Sequence, residues 1–121
     1  MAKSRLSVSW FEIPVKNMKR AVKFYSAALR VKFVPMEAGG TTIHAFMGAK
    51  MPIGALIKDP TNKPSKSGSI LYFETSDVKA TLKRVAKAGG KVVLPAMSIG
   101  DYGTIGQFTD TEGNRIALHA S

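Results

Sequence analysis

The two halves of this sequence resemble each other at a spacing of 60 residues (from Asn17 to Asp77), and this repeat restricts the possible folds more than any other feature. Asn17 and Asp77 each stand where a helix N-cap is expected, and apolar residues follow both at helical spacing. The equivalent pairs are Met18 and Val78, Val22 and Leu82, Tyr25 and Val85, Pro35 and Pro95 and, after a short insertion, Phe46 and Phe108 and Leu56 and Leu118. Two coincidental stretches would not align the cap, the helix face and the prolines together, so the sequence predicts a duplicated unit.

Each half follows the pattern β-α-β-β-β. In the first half we predict a helix from Met18 to Leu29 and strands over 7–15, 31–36, 41–47 and 53–57. In the second half we predict a helix from Val78 that Gly89-Gly90 ends, and strands over 69–75, 92–95, 104–109 and 115–119. One half cannot cover its own sheet, so we expect a single α+β domain. Its predicted parts are module one at 6–58, a solvated, Pro- and Ser-containing linker at 59–68, and module two at 69–121.

Composition excludes several classes of protein. The chain has 121 residues, 45% of them hydrophobic, so disorder is excluded as its main state. It has no Cys, which excludes disulfides, thiolate metal sites and thiol catalysis. No apolar run reaches the length of a membrane span, and no apolar signal core follows the N-terminus, so we expect a cytoplasmic protein without membrane contact.

The chain is strongly basic, with 18 Lys and Arg against 8 Asp and Glu and a net charge of +10. Such a balance makes nucleic acid or another anion the first partner to consider. However, the repeat places much of the charge on the outer faces of both predicted helices, and no nucleic-acid recognition motif accompanies it. We therefore expect no specific nucleic-acid partner, and we expect the charge to disfavour a cationic ligand.

Several sequence segments resemble the vicinal oxygen chelate superfamily, which contains glyoxalase I, extradiol dioxygenases and bleomycin-resistance proteins. The matching segments are Trp10 to Val15, Asn17 to Tyr25, Tyr72 to Glu74, Asp77-Val78, Ala88 to Val92 and Asp110 to Ile116. The resemblance implies two modules whose mixed sheet curls around a cavity, with the helices on the outside. It also implies a homodimer. The segments at Asn17 to Tyr25 and Asp110 to Ile116 are markers of the family's structure rather than of its chemistry.

Metal enzymes of that superfamily hold a divalent ion with four His, Gln or Glu side chains on the first and last strands of each module. The resemblance places these four positions at Trp10, Ala55, Ile70 and Ala117. None of the four can bind such an ion, which needs carboxylate oxygen or imidazole nitrogen. We therefore expect a glyoxalase-like member without the usual metal and without another cofactor.

Strand alternation predicts which side chains face the cavity. A ligand is expected to contact Trp10, Glu12, Ile70, Tyr72, Arg115 and His119, together with Tyr102 from the Gly-rich loop 97–103. Glu74 is predicted to lie at the solvated rim, and His44 is predicted to point away. Apolar walls with a few polar groups are typical of small-molecule sites.

Alternatives remain open for these residues. Trp10 either fills the space of a metal site or stacks on a ligand. Glu12 either pairs with Arg115 or His119 or serves as an acid–base group. Tyr72 either donates a hydrogen bond to a ligand or only packs, and His119 stands close enough to the C-terminus to be frayed.

Three functions fit the sequence. The first is binding of a small neutral or anionic molecule without a metal. The second is a lyase, isomerase or dioxygenase that uses shifted metal ligands or acid–base chemistry by Glu12, Tyr72 and His119. The third is a basic module associated with nucleic acid.

Overall fold

The computed structural model describes residues 5–121, which form two helices and eight strands. The first half contains β1 (Phe11–Pro14), α1 (Met18–Leu29), β2 (Phe33–Ala38), β3 (Thr41–Met47) and β4 (Pro52–Ile57). The second half contains β5 (Leu71–Glu74), α2 (Val78–Lys87), β6 (Lys91–Ser98), β7 (Thr104–Thr109) and β8 (Arg115–Ala120), with a short 3₁₀ turn at Gly100–Tyr102. The α+β class and the order β-α-β-β-β in each half are confirmed.

The two halves build the same sheet. The strand order is β1-β4-β3-β2 in the first sheet and β5-β8-β7-β6 in the second. In each sheet the first and last strands of the module pair in parallel and the other neighbours pair antiparallel, so both sheets are mixed. Within residues 5–121, neither helix is long and apolar enough to cross a membrane.

Local sequence explains where the helices begin and end. Asn17 and Asp77 have extended backbones, and their side chains accept hydrogen bonds from the amides of Arg20 and Ala80 at 3.0 Å. The two helices end differently. Arg30 closes α1 in the left-handed conformation, whereas α2 is followed by Gly89, which has a φ of 107°.

Four strand predictions need correction. β2 runs over Phe33–Ala38 instead of 31–36. β1 begins at Phe11 rather than at residue 7, because its partner β4 begins at Pro52 and pairs with β1 only from Gly54 onward. β5 is likewise shorter than predicted, whereas β6 extends over Lys91–Ser98 instead of 92–95. Two bulges let this edge strand follow β7 along its length despite Pro95, which has no N–H to donate.

The helices lie on one face of the sheets, and aromatic rings fill the space beneath them. Phe46 is at the centre, with ring centroids 5.2 Å from Phe11, 5.4 Å from Tyr25 and 5.5 Å from Phe73. Phe73 belongs to the second half and also lies 5.5 Å from Phe11. The two modules therefore share one hydrophobic core, in which side chains of each module bury apolar side chains of the other.

Gly54 makes room for one of these rings. A Cβ at this position would lie 2.5 Å from three carbons of the Phe11 ring. That ring is held by Phe46 and Phe73, so it cannot move aside freely. We expect Gly54→Ala to destabilise the fold by about 1–3 kcal/mol, measured by urea denaturation. The control is the same substitution in a Phe11→Leu background, where the cost should shrink. An equal cost in both backgrounds would contradict the proposed clash.

Candidate functional site

Each sheet has one face that the helices do not cover, which we call the helix-free face. On the first sheet Ile13 and Leu56 pair across β1 and β4 and belong to the core under the helices. Their neighbours Glu12 and Ala55 also pair, and alternation places them on the helix-free face. A separate apolar cluster lies on the same face and consists of Ala55, Ile43 and Ile57.

The second sheet repeats this arrangement. Tyr72 pairs with Ala117 and Glu74 pairs with His119, whereas Leu118 between them belongs to the core. Tyr72 is half-exposed, and Ala117 is fully buried beside it. The polar side chains closest in register to the two buried alanines are therefore Glu12 in the first sheet and Tyr72 in the second.

The four positions that the resemblance assigns to metal ligands carry no group suited to a metal. Trp10 and Ile70 stand immediately before β1 and β5, and Trp10 is 36% exposed. Ala55 and Ala117 are both 0% exposed and offer only methyl groups. In the part of the chain that the structure describes, no three His, Cys, Asp or Glu side chains are grouped closely enough to hold an ion. The residues present therefore do not fit the divalent metal of the superfamily's enzymes.

A cavity of about 470 Å³ lies on the helix-free face of the second sheet. It is lined by Tyr72, Glu74, Ile99, Ile105 and His119. Ile99 lies within the Gly-rich loop and Ile105 lies at the start of β7, which follows it; sequence reasoning selected neither residue. Ile105 could have been found, because it stands opposite His119 across β7 and β8.

His119 connects this cavity to the loop. Its Nε2 atom lies 2.6 Å from the backbone oxygen of Tyr102. The same residue pairs with Glu74 and Ile105 inside β8, so the alternative of a frayed end is wrong. Tyr102 itself is 78% exposed and does not line this cavity, contrary to the expected ligand contact. The loop is thus tethered through its backbone while the ring remains open to solvent.

A second cavity, of about 360 Å³, lies where the end of β1 meets the starts of β5 and β8. It brings together Glu12, Ile70 and Arg115, whereas Tyr72 and His119 line the first cavity. Trp10 lines neither. The residues predicted from the sequence to form one site are therefore divided between two cavities.

The first alternative for Glu12, an ion pair with Arg115 or His119, is not formed. Across residues 5–121, the one salt bridge joins Arg20 to Glu112. Glu12 is exposed, so water solvates its carboxylate and no buried partner is required.

The predicted linker supplies a wall of the second cavity. The Ser65 amide donates to Asn114 Oδ1 at 3.2 Å, and the Ser65 carbonyl accepts from the Arg115 amide at 3.3 Å. Most linker side chains are exposed as expected, but its backbone is tied to the start of β8. The polar composition of the segment indicated its exposure and gave no sign of this attachment.

His44 lies away from both cavities. It pairs with Leu56 on the face beneath the helices, and its buried Nδ1 atom has no hydrogen-bond partner. This agrees with the predicted orientation.

Comparison with known proteins identifies relatives of the whole chain. The family model for the Glyoxalase/Bleomycin resistance protein/Dioxygenase superfamily matches residues 7–118. A glyoxylase-like domain-containing protein from Didymella fabae is 35% identical over 117 residues, covering 92% of this chain and 91% of its own length. The putative glyoxylase CFP32 of Mycobacterium tuberculosis is 26% identical over 114 residues, and the match spans 44% of that longer protein. The crystal structure of TnmS3, an antibiotic binding protein from Streptomyces sp. CB03234, superposes with a TM-score of 0.73 at 22% identity and 98% coverage of both chains.

Proposed function

The chain belongs to the Glyoxalase/Bleomycin resistance protein/Dioxygenase superfamily, and from this premise we propose that it binds a small neutral or anionic molecule without the superfamily's usual metal. The ligand lies in the cavity on the helix-free face of the second sheet. The observation that carries the proposal is the combination of this cavity with alanines, rather than carboxylates, at positions 55 and 117.

The lining of the cavity suits a small organic molecule. Its volume of about 470 Å³ lies in the range of ligand pockets. Ile99 and Ile105 provide apolar contact, and the Tyr72 ring provides a surface for stacking. The polar groups of the lining are His119, the Tyr72 hydroxyl and the Glu74 carboxylate. A neutral ligand or the apolar part of an anion can lie beside Glu74, whereas the negative group of an anion would bind on the side of His119 and Tyr72.

Charge and comparison support the proposed ligand class. The net charge of +10 repels cations at long range and attracts anions, so a neutral or anionic ligand is favoured. The structure of TnmS3, described as an antibiotic binding protein, supports a binding role for a chain of this fold. At 22% identity this likeness shows the fold alone, so the binding of an antibiotic remains a property of TnmS3.

The proposal is tested with 1-anilinonaphthalene-8-sulfonate, an apolar anion whose fluorescence rises on binding. We expect saturable binding that Tyr72→Ala weakens by about fivefold or more, because the variant loses the aromatic surface of the cavity. Val93→Ala is the matched control, since Val93 is similarly exposed on β6 and lines no cavity described above. Val93→Ala should bind like the wild type.

Two outcomes would overturn this function. Equal binding by the wild type and Tyr72→Ala would place the probe elsewhere. Stoichiometric zinc, nickel, manganese or iron in the purified protein, with loss of probe binding after chelation, would favour the metal-dependent alternative instead. In that alternative, metal ligands at other positions hold the ion.

A further inference from the structure

A concave surface larger than either cavity lies where α1 and α2 meet. This interhelical groove has a volume of about 900 Å³. Ala27, Ala88 and the buried Phe24 give it apolar lining. Around that lining stand five cationic side chains and no carboxylate, namely Arg20, Lys23, Arg30, Arg84 and Lys87.

Most of this charge has no internal partner. Arg20 is paired with Glu112, at 2.7 Å between Nε and Oε2. Within residues 5–121, the other four cations form no salt bridge. Arg84 and Lys87 lie in the last turn of α2, where the helix dipole favours positive charge. That explanation does not extend to Lys23, which is in the middle of α1, so the groove holds more positive charge than the helices require.

Arg84 is held in place by both helices. Its Nε donates to the Ala28 carbonyl of α1 at 3.0 Å, and its Nη2 donates to Thr81 Oγ1 at 3.1 Å. A guanidinium has five N–H groups, so further donors remain for a ligand. Because these two bonds restrict the side chain beforehand, less conformational entropy is lost when an anion binds.

Arg30 occupies a position that glycine would fill more easily. Among residues 5–121 it is the only non-glycine residue with positive φ, at 55°. The second module ends its helix with Gly89 in the left-handed region instead. A side chain kept where the backbone favours glycine points to a role for that side chain. Arg30 is one of the residues that line the groove.

We propose that the interhelical groove binds a small organic phosphate. Its phosphate groups contact Lys23, Arg30, Arg84 and Lys87, and its apolar part covers Ala27 and Ala88. Guanidinium and ammonium groups bind phosphate oxygens through charge-assisted hydrogen bonds, and the groove has the volume of a nucleotide-sized ligand. This site is separate from the cavity of the proposed function and uses none of its residues.

A nucleic acid would use the basic surface differently. Lys79 and Lys83 lie on α2 outside the groove, beside β6. A polyanion that follows the surface would use these lysines as well as the groove, and its affinity would fall steeply with salt. A small ligand inside the groove would not depend on them.

The test is calorimetric titration with ADP, pyrophosphate and adenosine at about 150 mM salt, where long-range attraction is screened. We expect ADP to bind with saturation, pyrophosphate to bind more weakly and adenosine not to bind. Arg30→Gly should weaken ADP binding by about five- to tenfold while thermal stability stays the same or rises. Lys83→Gln removes one charge from the same helix outside the groove, and its affinity should stay within about twofold of the wild type.

Three results would overturn the proposal. They are the absence of saturable ADP binding, an unchanged affinity in Arg30→Gly, and an equal loss in Lys83→Gln. The last result, combined with salt-sensitive binding of duplex DNA that Lys83→Gln also weakens, would identify a diffuse polyanion surface instead. Tyr72→Ala should leave ADP binding unchanged, so failure here is separate from failure of the proposed function.

Discussion

Replacing Asp110 with alanine is expected to destabilise the protein by about 3–5 kcal/mol, a large part of the total stability of a domain of this size. Asp110 is buried in the turn between β7 and β8. Its Oδ1 accepts from the amides of Glu112, Gly113 and Asn114, each at 2.9 Å. Its Oδ2 accepts from the Tyr25 hydroxyl at 2.5 Å and from Asn114 Nδ2 at 3.0 Å.

The cost is large because several donors lose their acceptor at once. The alanine variant leaves the buried Tyr25 hydroxyl and the turn amides without a partner, and each such group carries a desolvation penalty. Burial raises the pKa of Tyr25 well above its ordinary value, and the negative charge of Asp110 and the hydrogen bond to it raise it further. The hydroxyl therefore stays protonated and remains a donor across the ordinary pH range.

Urea denaturation of three variants, Asp110→Ala, Asp110→Asn and Asp101→Ala, distinguishes loss of the Asp110 hydrogen bonds from a general loss of negative charge. Asp110→Asn keeps an oxygen for the turn amides but sets its NH₂ against Asn114 Nδ2, so we expect a smaller loss than with alanine. Asp101→Ala is the control, because Asp101 is exposed in the 3₁₀ turn. Its stability should stay within about 0.5 kcal/mol of the wild type. If Asp110→Ala lowers the free energy of unfolding no more than Asp101→Ala does, the Asp110 hydrogen bonds do not stabilise the fold as expected.

The elements of the fold could be predicted because their signals are local. Helix caps at Asn17 and Asp77 need only the residues of the first turn, and strand alternation needs only neighbouring positions. Boundaries were less accurate where a partner strand decided them, as at the start of β1, because pairing depends on residues more than 40 positions away.

The arrangement of the site could be predicted only in part. Alternation assigned Tyr72 and His119 to one face, and both line one cavity. The separation of Glu12 and Arg115 into another cavity depends on how the linker attaches to β8, for which no local pattern exists. The same limit applies to the turn after β7. Its residues were identified as structural markers, but their contacts with α1 join positions more than 80 residues apart.

Glu112 is the second residue whose removal should have a large effect, and the effect should depend on pH. Its side chain is fully buried. Its Oε1 accepts from the amides of Lys16 and Asn17 at 2.8 Å, and Arg20 donates to both of its oxygens. These bonds fasten the start of α1 to the last turn of the other module. They also satisfy amides at the helix N-terminus, where negative charge is favourable.

The direction of the pH dependence follows from the pKa of Glu112. Burial would raise that pKa, but hydrogen bonds from Arg20, Asn17, Lys16 and Thr111 outweigh burial and lower it to about 2. The ordinary value is 4.5, so the ionised carboxylate stabilises the folded state above about pH 5. This contribution is lost as the pH falls from about 5 towards 2, because the unfolded chain takes up the proton first. The shift corresponds to about 3 kcal/mol at neutral pH.

Glu112→Gln should therefore lose about 2–4 kcal/mol at pH 7 and progressively less, relative to the wild type, as the pH approaches 3. The measurement is urea denaturation of both proteins at several pH values between about 3 and 7. Glu37→Gln is the matched control, because Glu37 is exposed on β2 and bonds only to the Thr42 hydroxyl. Its stability should follow the wild type at every pH. A difference between Glu112→Gln and the wild type that stays constant with pH would show that folding does not lower the pKa of Glu112. In that case the ionised carboxylate would not stabilise the contact between the start of α1 and the turn between β7 and β8. Packing alone would then hold the two modules together at this point.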